Sequence, residues 1–200
     1  MDAHRDQYHA IRDAYTCWLD ELNLKLAAID PDYTDTPGKR GINRINNNLF
    51  HYPNKPTYKD HVGAGLDQIT KQNDFYIELG LDSCFIASGY WNPDRETLRN
   101  LRDAIDYDGD KFKKILRSKQ FKTHFPGVHP DPNALKTAPQ GFSPDHEHID
   151  LLRLRSINAV HELTRDQVLS PDFQDHCVDV YKSVLPFRRY LYHAVHGVEE

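Results

Sequence analysis

The sequence contains no apolar run close to the about 20 residues that a membrane-spanning helix needs. Cysteine is scarce as well, because Cys17, Cys84 and Cys177 are the only three in 200 residues and lie far apart. This spacing disfavours a disulfide framework and a zinc knuckle, and it predicts free thiols, mostly buried, in a reducing compartment. The opening stretch MDAHRDQYHAIRD is charged from its second residue, so we expect no secretory signal. These features predict a cytoplasmic protein.

Several catalytic signatures are also missing. The sequence has no G-x-S-x-G, no glycine-rich phosphate loop, no H-E-x-x-H and no C-x-x-C. A cysteine nucleophile is disfavoured because strand alternation places Cys84 on a buried face. The net charge of −5 disfavours nucleic acids and anionic membranes as partners. The sequence therefore predicts no cofactor and no membrane association, and it leaves open whether the protein is an enzyme.

The most regular pattern predicts a β-hairpin. Apolar residues alternate from 75 to 79 and again from 84 to 88, and the turn-forming stretch Gly80-Leu81-Asp82-Ser83 lies between them. A preceding strand should begin after Pro56, because proline cannot donate to a sheet ladder. If the even-numbered residues from 58 to 66 pack on the core, Lys59 and His61 stand together on the opposite face. The stretches 42–50 and 154–161 are possible further strands.

The helices are predicted from periodicity and from capping signals. Apolar residues recur every three or four positions from Tyr8 to Ile29, which predicts a long N-terminal helix that covers a sheet, with a coiled coil as the alternative. Thr164 begins a capping box, and a kink or break in the last helix is expected before Pro186. Three more helix starts combine a capping residue, a proline and an acid: Asn92-Pro93-Asp94, Ser143-Pro144-Asp145 and Ser170-Pro171-Asp172.

Strands clustered in the middle of the chain, without a regular β-α alternation, predict an α+β fold. We expect a single domain over residues 1–200, with a largely antiparallel sheet covered by the N-terminal helix and a C-terminal helical segment. Its predicted parts are a helix at 1–30, a strand-rich core at 42–91, helices at 92–124, a proline-rich loop at 125–142, and helices with one strand at 143–200.

Lys55, Tyr58, Lys59 and His61 form the densest group of hydrogen-bond donors, and Arg44 and His51 lie near them in sequence. Residues 35–61 contain five Lys/Arg and two acids, a local charge of +3 in an acidic protein. This pattern predicts a site for a small anion such as a phosphate or carboxylate, with His61 as a candidate acid/base. The alternative is a solvated sheet face whose lysines protect an edge strand.

We expect Lys136 and Arg155, from later segments, to join this cluster in one site. The substrate and the oligomeric state are left open. A rival hypothesis is a structural or protein-interaction module without catalytic activity, which would use the N-terminal apolar stripe or an exposed sheet edge.

Two patterns, one rich in histidine and one in aspartate, resemble metal sites. His146 and His148 occur in DHEHID, but in the first turn of a predicted helix they would point about 200° apart and could not bind one ion together. Asp106, Asp108 and Asp110 differ from a calcium loop, because the glycine is fourth and Arg117 occupies the twelfth position. The sequence therefore predicts no metal site.

A basic segment offers a third hypothesis, an RNA-binding module. Six Lys or Arg residues lie between Lys111 and Lys122, interleaved with Phe112 and Phe121. The aromatic and aliphatic residues share one helical face, however, and the charges occupy the rest. An amphipathic helix with a solvated basic face is the favoured interpretation.

Six segments carry a family resemblance: HRDQY, NKPTYKDH, GYWNPDRETLRNLRDAI, LKTAPQGF, DHEHIDLLRLRS and LSPDF. In this order, from about His4 to Leu191, they resemble a bacterial family catalogued as domain of unknown function 2461. The resemblance implies a shared fold and supplies no established activity. It carries over these positions: Lys55, Tyr58, Lys59, His61, Trp91, Lys136, Pro139, Gly141 and Phe142.

The chain departs from the family pattern at three places. An Arg-Asp-x-Arg-Phe run that is common in the family reads Asn46–Phe50 here, without its arginines and its acid. Arg155 replaces a usual lysine, which keeps a cation but not a possible nucleophile or general base. The family pattern also implies a short helical stretch before HRDQY, which this sequence lacks.

Overall fold

A computed structural model of the chain describes residues 5–68 and 72–197. These residues form an α+β fold with a four-stranded antiparallel sheet, which confirms the predicted fold class. The strands are β1 (His61–Leu66), β2 (Phe75–Gly80), β3 (Cys84–Tyr90) and β4 (Ile157–Leu163). The helices are α1 (Arg5–Ala27), α2 (Gly38–Gly41), α3 (Arg95–Arg117), α4 (Lys119–Lys122), α5 (Ile149–Leu152), α6 (Arg165–Leu169) and α7 (Phe173–His196).

The strands lie in the order β1-β2-β3-β4, and β2 and β3 form the predicted hairpin. In the antiparallel pairing of β1 with β2, His61 lies opposite Gly80 and Leu66 lies opposite Phe75. Leu66 and Phe75 are fully buried on one face of this pair. Because side chains alternate along a strand, His61 and Glu78 lie on the other face. The predicted parity of the strand is therefore correct.

The edge of the sheet differs from the prediction. β1 begins at His61, so Tyr58 precedes the strand and is 36% exposed. The stretch 42–50, predicted as a possible strand, forms only two isolated bridges, Ile42 with Ala64 and Asn46 with Tyr58. Successive asparagines are poor strand formers, which accounts for the interrupted pairing.

The chain divides into two compact units. The first contains Met1–Ile69, Asp74–Ile86 and Glu162–Asp179, and the second contains Thr70–Asn73, Ala87–His161 and Val180–Glu200. In the first unit, α1 buries Leu19, Leu22 and Leu26, and Trp18 stacks on Phe173 with ring centroids 5.3 Å apart. The single-domain interpretation stays a prediction.

In the second unit, two predicted helices are joined as α3, with non-helical geometry at Asp108. Phe112 of α3 stacks on Phe187, with ring centroids 5.6 Å apart. α7 continues through Pro186, so a break before that residue is wrong, and a kink there stays a prediction.

The capping predictions have mixed outcomes. The capping box at Thr164 is confirmed, since its side chain accepts from the Gln167 backbone and Gln167 reaches back. The N-cap of α3 is Asp94 instead of Asn92, which has a positive φ of 45°. The helix start predicted at Ser143-Pro144-Asp145 is wrong: residues 144–145 and 147–148 form turns, and α5 begins at Ile149.

The three cysteines are free in the described structure, as predicted. Only Cys177 is buried, whereas Cys17 is exposed and Cys84 is half-buried, so the expectation of mostly buried thiols is wrong. Burial raises the pKa of the Cys177 thiol well above its usual value. Within the described residues, none of the helices is both long and apolar enough to cross a bilayer.

Candidate functional site

A cavity in the first unit, here called the α1–β1 cavity, is bounded by the first turns of α1, the segment 42–45 and the start of β1. Its wall combines aliphatic and aromatic side chains with four basic ones. The lining residues are Tyr8, Ile11, Arg12, Tyr15, Ile42, Asn43, Arg44, Ile45, Lys59, His61, Val62 and Gly63.

Backbone hydrogen bonds bring the basic residues of two segments together. The Asn43 N–H donates to the Gly63 carbonyl at 2.8 Å, and the Lys59 N–H donates to the Ile45 carbonyl at 2.9 Å. The segment 42–45 therefore runs beside residues 59–63, although it is not a regular strand. This pairing places Arg44 and Lys59 on the same cavity.

The cationic side chains of this cavity are not neutralised by neighbouring acids. Arg12, Arg44 and Lys59 form no ion pair with the residues that the structure describes. A positively charged group on a surface normally finds either water or an opposite charge. Three unpaired cations on one cavity wall favour a negatively charged occupant.

His61 lies between two carboxylates. Its Nδ1 is 3.0 Å from Oδ1 of Asp60, and its Nε2 is 3.5 Å from Oε2 of Glu78. The hydrogen bond with His61 lowers the pKa of the exposed Asp60 carboxyl. A histidine held by carboxylates is a common arrangement for proton transfer. The geometry is therefore compatible with an acid/base role for His61.

Tyr76 extends this hydrogen-bonded set. Its hydroxyl donates to Oε2 of Glu78 at 2.7 Å, and burial, followed by the hydrogen bond and charge of Glu78, raises its pKa above the usual range. Gly63 leaves the space for this ring, since a Cβ at that position would lie 2.3 Å from the Tyr76 hydroxyl oxygen. The glycine is thus required by the close approach of Tyr76 to β1.

Tyr15 contributes a buried polar group to the cavity wall. Tyr15 is 8% exposed, and its hydroxyl has no hydrogen-bond partner among the described residues. Burial, followed by the nearby Tyr76, raises the pKa of Tyr15 above the usual range, so the phenol keeps its proton. A buried hydroxyl without a partner is costly, and a ligand in the cavity could accept its hydrogen bond.

The structure brings together only part of the predicted cluster. Lys59 and His61 line the cavity. Lys55 is exposed, with its ammonium 4.7 Å from the centroid of the Tyr52 ring, and neither Lys55 nor Tyr58 lines the cavity. The roles proposed for Lys55 and Tyr58 in ligand binding stay predictions.

Lys136 and Arg155 belong to the second unit, where both are exposed. The backbone N–H of Arg155 donates to Oδ2 of Asp131 at 2.6 Å. Their participation in the same site as Lys59 stays a prediction.

Sequence reasoning missed the contribution of α1, because Tyr8, Ile11 and Tyr15 continue the apolar stripe that packs the core. Ile11 is 60% exposed, and the stripe becomes fully buried only further along the helix. The signal that could have marked this end is Arg12, a cation directly beside the stripe. Arg12 and the first turns of α1 thus belong to the cavity and not to the core.

The basic segment of the second unit has the expected amphipathic form. Phe112 and Phe121 are buried. Two of its lysines are engaged by backbone carbonyls: Lys113 donates to Glu147 at 2.9 Å, and Lys122 donates to Pro126. Binding of RNA by this segment stays a prediction.

Comparison with known proteins shows the family. The family model described as "Conserved hypothetical protein (DUF2461)" matches residues 1–190, and the chain belongs to this family. Neither the curated proteins nor the solved structures contain a match to the chain. The family description names no activity, so a functional assignment depends on the geometry of the site.

Proposed function

We propose that the protein binds a small anionic ligand in the α1–β1 cavity. The observation that carries this proposal is the convergence of Arg12, Arg44 and Lys59, three cations without an acidic partner among the described residues. Charge-assisted hydrogen bonds from such groups are shorter and about twice as strong as neutral ones. The anion would be a phosphate or a carboxylate.

The local charge balance supports an anion in spite of the two acids beside His61. Asp60 and Glu78 contribute two negative charges, and the three cations of the cavity outnumber them. Glu78 is also bound by the Tyr76 hydroxyl, which offsets part of its charge. The Tyr15 hydroxyl adds a neutral donor to the same wall.

The catalytic form of this proposal assigns His61 the acid/base role. Its two ring nitrogens lie near Asp60 and Glu78, which orient the imidazole. In this form a His61→Gln variant retains phosphate binding within about twofold and loses turnover, because only the proton transfer is removed.

Titration calorimetry with inorganic phosphate, and separately with butyrate, tests the binding proposal. Lys59→Gln and Arg44→Gln should each weaken binding about tenfold, the equivalent of about 1.4 kcal/mol. Lys55→Gln is the matched control, because it removes the same charge from a residue of the same segment that does not line the cavity.

A second measurement uses the salt dependence. Binding through charges should weaken as the ionic strength rises. The proposal is wrong if neither probe binds at millimolar concentration, or if Lys55→Gln weakens binding as much as Lys59→Gln. Tighter binding of phosphate than of butyrate would identify the ligand as a phosphate. Tighter binding of butyrate would identify it as a carboxylate with an apolar body.

A protein-interaction module is the alternative, and one surface favours it. In the first unit, Phe50 is 89% exposed and Tyr52 is 57% exposed, next to the half-exposed Leu49. Exposed aromatic residues are enriched at protein interfaces. Size-exclusion chromatography with light scattering tests this alternative: a concentration-dependent dimer that Phe50→Ser converts to a monomer supports it, and a strict monomer weakens it.

We also propose that the protein acts in the bacterial cytoplasm. The three free cysteines support a reducing compartment, where thiols are kept from pairing.

The RNA-binding hypothesis for residues 111–122 has a separate test, since affinity for RNA must fall steeply between low and physiological salt.

A further inference from the structure

Helix α3 is interrupted at the point where a histidine from another segment packs against it. Asp108 has φ −142° and ψ 46°, which is not helical, and Gly109 follows. A Cβ at Gly109 would lie 2.2 Å from Cδ2 and 2.6 Å from Nε2 of His148. The imidazole of His148 therefore lies directly on the α3 backbone, and no residue with a side chain fits at position 109 without displacing it.

Two carboxylates converge on this imidazole. Each of Asp110, Glu147 and His148 offers one potential metal-ligand atom, and these three atoms all lie within 4.8 Å of one another. The Nε2 of His148 is 3.5 Å from Oε1 of Glu147. Two ligand atoms about 2.1 Å from a tetrahedral zinc ion are about 3.4 Å apart, so this separation matches one edge of a metal coordination sphere.

His148 is buried without adequate hydrogen bonding. His148 is 3% exposed, and its Nδ1 has no hydrogen-bond partner among the described residues. The 3.5 Å from Nε2 to Glu147 is longer than the 2.7–3.2 Å of a good hydrogen bond. Nε2, the ring nitrogen that faces Glu147, is therefore available to an ion, whereas the cost of the unpartnered Nδ1 is the same with or without an ion.

From these three observations we propose that Asp110, Glu147 and His148 bind one divalent transition-metal ion, with zinc as the best fit. An imidazole with two carboxylates suits zinc and related ions, whereas calcium prefers oxygen ligands only. Three protein ligands leave a fourth position for water, as in zinc sites that carry out chemistry. This site lies in the second unit and does not depend on the α1–β1 cavity.

The spacing of His146 and His148 disfavours a metal site only if both residues lie in one helical turn. Both residues precede α5, so that premise is wrong. The two histidines also have different partners. His146 contacts Oδ1 of Asp106 through Nε2 at 2.9 Å and accepts the His148 backbone N–H through Nδ1 at 3.0 Å. His146 thus positions the backbone of His148 and is not itself a ligand.

One nearby cation opposes the ion and provides a sharp test. The Lys113 ammonium donates to the Glu147 carbonyl at 2.9 Å, within a Debye length of about 8–10 Å of the carboxylate on the same residue. Removing this charge should strengthen the binding of a divalent cation, whereas it should weaken the binding of an anion.

The experiment titrates zinc chloride into the chelator-treated full-length chain in competition with a chromophoric chelator, and repeats the titration with cobalt, whose visible absorption reports the ligand set. We expect one site per chain. Asp110→Asn and Glu147→Gln should each weaken binding at least tenfold, and Lys113→Gln should strengthen it about threefold. Asp150→Asn, an exposed acid of the same segment outside the cluster, is the matched control and should bind as the parent chain does.

Circular dichroism confirms that each variant is folded, and the exposed positions of Asp110 and Glu147 make their isosteric replacements safe. The proposal is overturned if the parent chain binds no zinc below about 1 mM, or if a double variant of Asp110→Asn and Glu147→Gln binds as tightly as the parent. It is also overturned if Lys113→Gln weakens zinc binding, because the loss of a positive charge beside the ligands should favour a cation.

Discussion

The Nε2 of His61 lies 3.5 Å from the Oε2 of Glu78, across the antiparallel pair of β1 and β2. The two residues are diagonal neighbours, because Glu78 is opposite Gly63 and His61 is opposite Gly80 in the register. Only glycines separate them on this face, so the imidazole and the carboxylate can approach each other over the backbone. His61 lines the α1–β1 cavity, so this pair brings the Glu78 carboxylate close to the cavity, although Glu78 is not one of its lining residues.

Glu78→Gln should strengthen the binding of phosphate about threefold, because it removes a negative charge near the cations and keeps the shape of the side chain. The amide also removes the charge that helps to raise the pKa of Tyr76, so that pKa should fall toward its usual value. Titration calorimetry and an ultraviolet titration of tyrosine measure the two effects. Weaker phosphate binding in this variant would contradict an anion site beside Glu78.

Tyr15→Phe should leave the free energy of unfolding unchanged or raise it by up to about 1 kcal/mol, because it removes a buried hydroxyl that has no partner among the described residues. The same variant should weaken ligand binding if the hydroxyl contacts the ligand. Urea unfolding and calorimetry check the two outcomes. Tyr76→Phe is the control, since it breaks the bond to Glu78 and should lower stability by about 1 kcal/mol.

Gly109→Ala should lower the free energy of unfolding by about 1–3 kcal/mol, because its Cβ would overlap the His148 ring. Combining it with His148→Ala should give less than the sum of the two effects, since the smaller side chain removes the overlap. Gly127→Ala is the control, because a Cβ there meets nothing within 4 Å. Strict additivity in the urea unfolding of the double variant would contradict the close packing of His148 on α3.

Asp131 should make stability depend on acid pH. Burial opposes its charge, but hydrogen bonds from the backbone N–H groups of Arg155, Asn133 and Ser156 outweigh burial and lower its pKa. A carboxyl whose folded pKa is below its unfolded value of about 3.9 stabilises the fold above that value, and this stabilisation is lost as the pH falls through the folded pKa.

The melting temperature of an Asp131→Asn variant should therefore lie below that of the parent chain at pH 6, and the difference should shrink as the pH falls below about 4. Scanning calorimetry between pH 2.5 and 6 measures this difference. An offset that is the same at every pH would show that the contribution of Asp131 does not come from its charge.

Local sequence patterns predicted the regular elements well where a single physical signal dominated. The β2–β3 hairpin follows from strict alternation around a turn, and the capping box at Thr164 follows from hydrogen bonds between residues three positions apart. The errors occurred where packing outweighed a local preference. Pro186 lies within α7, and Ser143-Pro144 begins turns instead of a helix.

The candidate sites were predictable only in part, for the same reason. His61 was predictable because strand parity is visible in the sequence, and Lys59 because it lies two residues before it, but Arg12 joins them from a helix that precedes them by about fifty residues. Asp110 and His148 belong to two motifs, the aspartate cluster at 106–110 and DHEHID, and neither motif has the spacing of a metal site by itself. Only their juxtaposition makes either motif a candidate ligand set.

The sequence by itself determined the α+β class, the parity of β1 and the positive charge of the 35–61 segment, because alternation, capping and charge are properties of neighbouring residues. The tertiary structure decided which charges share a cavity and which imidazole is buried between carboxylates. Those relationships join residues distant along the chain, and their distances are set by packing, which no local pattern records.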